Sequence, residues 1–305
     1  MTGTDHIPAI TVITPVYNNA PYMREALDSI LNQTFGDFEY ILINDGSTDN
    51  SLDILAEYAK KDPRIRIASH GNNGYIAALN EGLNSARAEF IARMDADDVS
   101  LPDRFEKQIA YLRAHPECVV VGGRVLLIDS EGAPLREMCD ETTHDEIDAA
   151  HLAGRGGTIV HPAMMARRSA IDSIGKYSNA YPWAEDLDFF LRLAEVGRVA
   201  NLPGVILRYR QHLSSIGYSK SELQQKSTIA VVRDTHLRRG LPVPGGLDSQ
   251  SIGVSSVAQS YRKWAWWALG AGYVASARKH ALRALRTEPL SVESWRTVYC
   301  AIRGH

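Results

Sequence analysis

Neither sign of charge is in surplus in this sequence: 33 basic side chains stand against 36 acidic ones over 305 residues, a formal net charge of −3. Wrapping a polyanion takes a marked basic excess, so nucleic acid is excluded as a partner class. Cysteine is scarce. Cys118, Cys139 and Cys300 lie far apart and are odd in number, which argues against a disulfide framework, offers no metal-ligand spacing and suits a reducing compartment. A basic start followed by an apolar stretch, the mark of a secretory signal, is not seen, and a cytoplasmic location is the expectation. Long hydrophobic runs are missing too. The longest stretch with no charge and almost no polarity, residues 264–277, has 14 residues, where a bilayer span needs about 20. Glycine is missing where a dinucleotide oxidoreductase needs it. The first apolar run exits through Pro15-Val16-Tyr17-Asn18-Asn19, without the Gly-x-Gly-x-x-Gly that lets a pyrophosphate approach the backbone. Gly154 and Gly156 come near that pattern, but Ile159 stands where the third glycine belongs. Ile43, two before Asp45, excludes an aspartyl-phosphate phosphatase in the same way, since the nucleophile would sit there.

What is present is the composition of a soluble globular chain, 45% hydrophobic and 23% charged, with length for one large domain and a small appendage. Short β-branched runs at 10–14, 38–43, 65–68 and 90–94 read as buried strands. Amphipathic stretches at 22–32, 51–60 and 75–85 read as the helices between them. That spacing suits right-handed βαβ crossovers, so a doubly wound parallel sheet is predicted, with ligands at the carboxyl ends of its strands. A helix to residue 114, strands at 118–121, 125–128 and 205–209, and helices at 186–196 and 221–239 follow. Two prolines and three glycines in residues 240–246 mark the end of this unit. The expected organisation is a catalytic domain over residues 1–240, a linker at 241–250 and a helical region at 251–305.

Three acidic groups fall at predicted strand ends or helix starts. Asp95-Ala96-Asp97-Asp98 crowds like charges behind an apolar strand. Either a hard divalent cation, Mg²⁺ or Mn²⁺, relieves them beside a substrate diphosphate, or they form a solvated turn before the next helix. Asp45, at the second strand's exit, either accepts from a nucleobase N–H or caps a helix. Glu185-Asp186 opens a helix behind Tyr181-Pro182-Trp183. The macrodipole stabilises carboxylates there, and aromatic neighbours would raise a pKa toward that of a general base. His161 and His212 are each open to a metal, phosphate or packing role.

Ile13-Thr14-Pro15-Val16-Tyr17-Asn18, Asn44-Asp45-Gly46-Ser47-Thr48-Asp49 and Asn72-x-Gly74-x3-Ala78-x-Asn80-x-Gly82 are followed by Asp95-Ala96-Asp97-Asp98, Leu101-Pro102-Asp103-Arg104 and Glu185-Asp186. In this order they resemble family 2 glycosyltransferases, the inverting nucleotide-sugar enzymes. The resemblance implies a GT-A fold, a Rossmann-like three-layer α/β sandwich, here with a small C-terminal helical appendage. It implies a nucleotide pocket of Pro15, Val16, Tyr17, Asp45, Asn72, Asp95 and Ala96, with Asp45 accepting from uracil. It assigns Asp97 and Asp95, with His212, to the cation, and Asp186 to the catalytic base beside Glu185. Asp98, His161, Trp183 and Arg210 fall on the acceptor and donor-sugar side. The family's donor is a nucleotide sugar, most often a UDP-sugar. Its usual acceptor is a glycan or lipid-linked glycan of a surface polysaccharide or lipopolysaccharide. Asn44 replaces an acid common just before Asp45. A nucleotidyltransferase acting on sugar phosphates and a non-catalytic nucleotide-sugar-binding module are the rival readings. Residues 154–160 and 210–220, rich in Gly and Ser, suit lids.

The tail resembles one helical pair of a tetratricopeptide unit, through Trp264-Ala-Trp-Trp-Ala-Leu269, Ala277-x3-Ala281-x2-Ala284-Leu285 and Glu288-Pro289. One such unit cannot stack into a solenoid, so it should dock on the catalytic domain, on a second copy of the chain in a homo-oligomer, or elsewhere. Arg278, Lys279, His280, Arg283 and Arg286 beside the Trp-rich segment suit either a peripheral helix at the anionic inner face of the cytoplasmic membrane or a solvated flank. Gln259, Arg262 and Trp264 are one residue out of register with the Gln-x-x-Arg-Trp of processive synthases.

Overall fold

The computed structural model describes residues 6–213, 221–246 and 256–304. Residues 214–220 of the expected lid, 247–250 of the expected linker and 251–255 of the expected helical region lie outside them. Strands β1 (Ile10–Val16), β2 (Phe38–Asp45), β3 (Ile65–His70) and β4 (Phe90–Arg93) alternate with helices α1 (Ala20–Leu31), α2 (Ser51–Lys61) and α3 (Tyr75–Ser85). They pair in parallel in the order β3-β2-β1-β4. β1 thus lies between β2 and β4, and the exits of all three share one edge.

Past β4 the sheet is mixed, which corrects the expectation of a parallel one. β5 (Val99–Ser100) and α4 (Arg104–Ala114) lead into β6 (Cys118–Asp129), a single strand where two short ones were predicted. β7 (Pro134–Met138), α5 (His144–Leu152), β8 (Met165–Arg167) and α6 (Arg168–Ser173) follow. The unit continues through α7 (Glu185–Val196), β9 (Arg198–Gln211) and α8 (Ser221–Arg238). β8 runs antiparallel to both β4 and β6. β9 runs parallel to β6 over its whole length, with Ile128 opposite Arg210, and antiparallel to β5, with Val99 opposite Arg208. Gly122 and Gly123 hid the continuity of β6 from a reading of apolar runs. These pairings bring the turn after β4, the end of β6 and the end of β9 together.

Strand alternation divides the core into two layers, as a period of two requires. Ile10, Val12 and Val16 face α1, α2 and α4. Ile13, Ile41 and Ile91 face α3, α6 and α7. α1 buries Met23, Ala26, Leu27 and Ile30, the stripe of an amphipathic helix. The Ala78-to-Gly82 part of the third signature is a packing device: a Cβ on Gly82 would stand 2.5 Å from Cγ2 of Ile13.

Three C-terminal helices, α9 (Val257–Gly270), α10 (Val274–Thr287) and α11 (Val292–Arg303), dock on the catalytic domain. Trp264, Ala268, Ala277 and Ala281 belong to the same apolar core as β6 and β7. Three residues of the basic row lie in that contact, and a fourth braces the C-terminal helices themselves. Lys279 and His280 bind Asp129, Arg283 binds Glu131, and Arg278 donates to the carbonyls of Ala301 and Ile302. Four of the five basic residues are thereby engaged within the chain. Gln259 is the capping-box partner of Ser256, a structural use that accounts for the near match to the synthase motif. No helix among the described residues is long and apolar enough to cross a membrane.

On an open helix Gly→Ala stabilises by up to about 1 kcal/mol, whereas overpacking a core costs about 1–3 kcal/mol. Gly82→Ala is therefore expected to lower the midpoint of urea unfolding; an equal or higher midpoint would contradict the packing of α3 on β1.

Candidate active site

The three parallel strands end in loops that hold one another. Asn18, at φ 55°, accepts with its side-chain oxygen from the N–H groups of Thr48 (2.8 Å) and Asp49 (3.3 Å). Asp49 returns the contact by accepting from the N–H of Ala20 at 3.1 Å. Gly46, at φ +74°, lets the β2 exit pass the β3 exit, since a Cβ there would lie 2.6 Å from the amide nitrogen of Asn72. Asp45 is buried, and its two oxygens accept from the N–H groups of Asn73 (2.7 Å) and Gly74 (3.0 Å). It organises the loop that starts α3 and keeps lone pairs for a further donor. Pro15 and Val16 are buried strand residues and Ala96 is buried beside them, whereas Tyr17, 49% exposed, and Asn72 present side chains to solvent.

Beside this edge the turn after β4 places ligand oxygens of Asp95, Asp97 and Asp98 within 4.8 Å of one another. Burial pushes the Asp95 carboxyl up against the opposing pull of Arg93, and burial with the charges of Asp97 and Asp95 pushes Asp98 well above its ordinary value. The buried Oδ2 of Asp98 has no partner. Three crowded hard oxygen donors, one of them unsatisfied, fit a hard divalent cation. Two arginines hold the turn from below. Arg93, 2% exposed at the end of β4, pairs with Asp95 and keeps two buried nitrogens, Nε and Nη1, without a partner. Arg104, fully buried and pushed down to about 9 by burial, donates to the carbonyls of Arg93 (2.9 Å) and Met164 (3.0 Å).

α7 supplies the second acidic pair at its first turn. Trp183, at φ 70°, bends the chain sharply just before it. Glu185 is buried, and burial followed by the charge of Asp186 pushes its carboxyl up to about 7. Burial raises Asp186 as well, and among the charges it senses are Arg93 and Asp95. The pair and the acidic turn therefore share one electrostatic environment.

The remaining expected residues have other partners. His161 lies buried in an aromatic cage, its Nε2 2.6 Å from the Tyr177 hydroxyl, and burial with the charge of Arg93 holds it neutral. His212 meets the turn through Asp97, at 2.9 Å, and stacks on Tyr22. The Arg210 guanidinium is occupied by main-chain carbonyls and Glu25 rather than presented to a sugar.

Residues 11–175, more than half of the chain, match Glycosyl transferase family 2. The chain belongs to this family. It is a glycosyltransferase of GT-A-like fold. It is 31% identical over 240 residues to the amylovoran biosynthesis glycosyltransferase AmsE of Erwinia amylovora, covering 75% of this chain and 89% of that one. EpsE of Bacillus subtilis is 34% identical over 209 residues, 67% of this chain and 73% of its own. Among solved structures, the fold is similar to the mannosyltransferase PcManGT of Pyrobaculum calidifontis in complex with GDP-Man and Mn²⁺, with a TM-score of 0.59, 18% identity and coverage of 98% of this chain and 86% of that one. It is also similar to S. aureus TarS 1–349 in complex with UDP, with a TM-score of 0.54, 17% identity and coverage of 97% and 92%. This family 2 chain spans 54% of the longer TarS chain.

Arg93, Arg104 and Tyr177 were not assigned roles by sequence reasoning. Arg93 left a signal, a charge at the end of an otherwise apolar strand, where an unpaired cation is almost never buried. Arg104 closes the Leu101-Pro102-Asp103-Arg104 signature, which by itself gives it no task.

A base acts deprotonated, so a raised Asp186 pKa means that activity is lost, as pH falls, at a higher pH than for an ordinary carboxylate. kcat/KM is expected to show that acid limb. Glu185→Gln removes the adjacent negative charge and should move the limb to lower pH; a limb that stays put or moves up in a pH–rate series would contradict the coupling of the pair.

Proposed function

We propose that this chain is a metal-dependent inverting transferase that moves a sugar from a UDP-sugar to a hydroxyl of a glycan or lipid-linked glycan in surface-polysaccharide synthesis. The observation that carries the reading is the crowding of Asp95, Asp97 and Asp98 oxygens within 4.8 Å in the turn after β4, with the buried Oδ2 of Asp98 left without a partner; Asp186 lies near enough to feel the charge of Asp95. Asp45 and Tyr17 take the base, with Asn72 on the adjoining loop. Asp97 and Asp95, with Asp98 close by, would hold Mg²⁺ or Mn²⁺. When bound, such a cation offsets the charge that grows on the departing diphosphate. Asp186 accepts the proton of the acceptor hydroxyl as its oxygen bonds to the anomeric carbon and the bond to the diphosphate oxygen breaks on the opposite face. Glu185 tunes Asp186 by its charge, and Trp183 stands beside the acceptor. Holding both substrates in one cleft supplies much of the remaining rate.

The likeness to AmsE, by its name an enzyme of amylovoran biosynthesis, supports a polysaccharide acceptor. The UDP and GDP-Man complexes of the structural relatives support a nucleotide-sugar donor. A nucleotidyltransferase would want a glycine-rich, basic first loop, and Tyr17-Asn18-Asn19 is neither. A module without turnover would not need both acidic groups set against each other.

Incubating the protein with a panel of nucleotide sugars and Mn²⁺ should release nucleoside diphosphate from a UDP-sugar in preference to the others. NMR of the product should show an inverted anomeric centre. Asp97→Ala and Asp186→Asn should each reduce turnover by roughly 10² or more, and only Asp97→Ala should also weaken Mn²⁺-dependent nucleotide binding. Retention of anomeric configuration, or full activity in either variant, would sink the reading.

A further inference from the structure

The C-terminal helices reach the acidic turn through an unbroken series of buried polar contacts. Asp129 closes β6, and its carboxylate is fully buried. It accepts from Nζ of Lys279 at 2.5 Å and from the His280 ring at 2.8 Å, both on α10. The N–H groups of Glu131 (2.9 Å) and Ala133 (3.0 Å) complete its set. Burial works against the charge, but these hydrogen bonds prevail and hold the Asp129 carboxyl far below the usual carboxylate range. His280 is fully buried as well, stacked against Tyr261 and edge-on to Trp264.

From Asp129 the contacts run on to the site. The carbonyls of Asp129 and Ser130 accept from Nη1 of Arg210 at 3.3 and 3.4 Å. Arg210 is 3% exposed and holds the acidic turn at two points. Its Nε donates to the carbonyl of Asp97 at 2.7 Å, and its main-chain N–H donates to Oδ1 of Asp98 at 2.8 Å. Its Nη2 reaches Glu25 at 2.5 Å, and its guanidinium lies over the Tyr22 ring. One arginine therefore sets two of the three carboxylate-bearing residues, and the end of β6 that steadies it is pinned from α10. A buried carboxylate stripped of its hydrogen-bond partners is strongly disfavoured, and Lys279 and His280 of α10 supply two of the four that Asp129 has.

We propose that Asp129, Lys279 and His280 are positioning residues for the acidic turn, and that the C-terminal helices hold the cation–diphosphate site in its binding geometry through Arg210. The proposal rests on the reading of that turn as the cation site. It gives the appended helices a task in the reaction that neither a solvated flank nor a membrane strip would have.

The test is calorimetric titration of the full chain with Mn²⁺ in the presence of UDP, alongside steady-state kinetics and thermal melting. Asp129→Asn, His280→Gln and Lys279→Met should each weaken Mn²⁺ binding roughly five- to tenfold, the size of a modest coupling between sites, and raise the donor KM by more than they lower kcat. Lys279→Arg, which keeps the charge, should restore most of the affinity, and Arg286→Ala on the same helix should leave it as in the wild type. If the three variants melt earlier yet bind Mn²⁺ and donor as the wild type does, the contacts are only a structural seam and the proposal fails. Should Asp129→Asn not fold, the Lys279→Met and Lys279→Arg pair makes the same comparison, because Lys279 is 24% exposed and tolerates change better. A wild-type chain that binds no Mn²⁺ with UDP would overturn the cation reading, and this proposal with it.

Discussion

Three carboxylates at the end of one buried strand repel one another, and the low polarity around them makes the repulsion worse. Much of the architecture answers that constraint. Arg93 pairs with the first carboxylate from inside the sheet, and Arg104 fixes the main chain beneath it. Arg210 grips the other two from the side. None of the three neutralises the turn completely, since Asp98 retains an unsatisfied oxygen and a strongly raised carboxyl. The site is stable enough to fold and still short of positive charge, which is the condition for taking up a cation with a diphosphate.

The same balance reaches the base. Glu185 and Asp186 open a helix, where the macrodipole favours their ionised forms, yet burial raises both. Arg93 acts on this pair as well as on Asp95, so one buried cation moderates two acidic groups. Rate enhancement in such a site comes mainly from charges fixed in advance, and here they are fixed by strand exits, a helix start and the seam with the C-terminal helices.

Much of this was legible in the sequence. β1 to β4 and α1 to α3 follow from apolar periodicity, and the 75–85 helix has the predicted ends. The three acidic groups stand where strand exits and a helix start were expected. Beyond residue 115 the reading loosened for physical reasons. Gly122 and Gly123 broke the apolar pattern of a strand that is continuous. β9 bulges at Pro203 and Gly204, where its register with β6 shifts, and its antiparallel contact with β5 is too short to leave a pattern. Side-chain assignments suffered most where a residue type suits several tasks. Arg210 and His161 were expected to face substrate, but one locks the acidic turn and the other sits in an aromatic cage. The basic row of α10 is periodic enough to suggest a surface, and only its partners Asp129 and Glu131, about 150 residues earlier in the chain, show it to be a seam.

On the proposed reading, the acidic turn after β4 is where a cation and a nucleoside diphosphate meet, within reach of Asp186. Anomalous diffraction from crystals grown with Mn²⁺ and UDP tests it most directly. A manganese peak bridging Asp97 and the diphosphate, with the uracil beside Asp45 and Tyr17, is the predicted result; a peak elsewhere, or a nucleotide bound away from the β1, β2 and β4 exits, would contradict it.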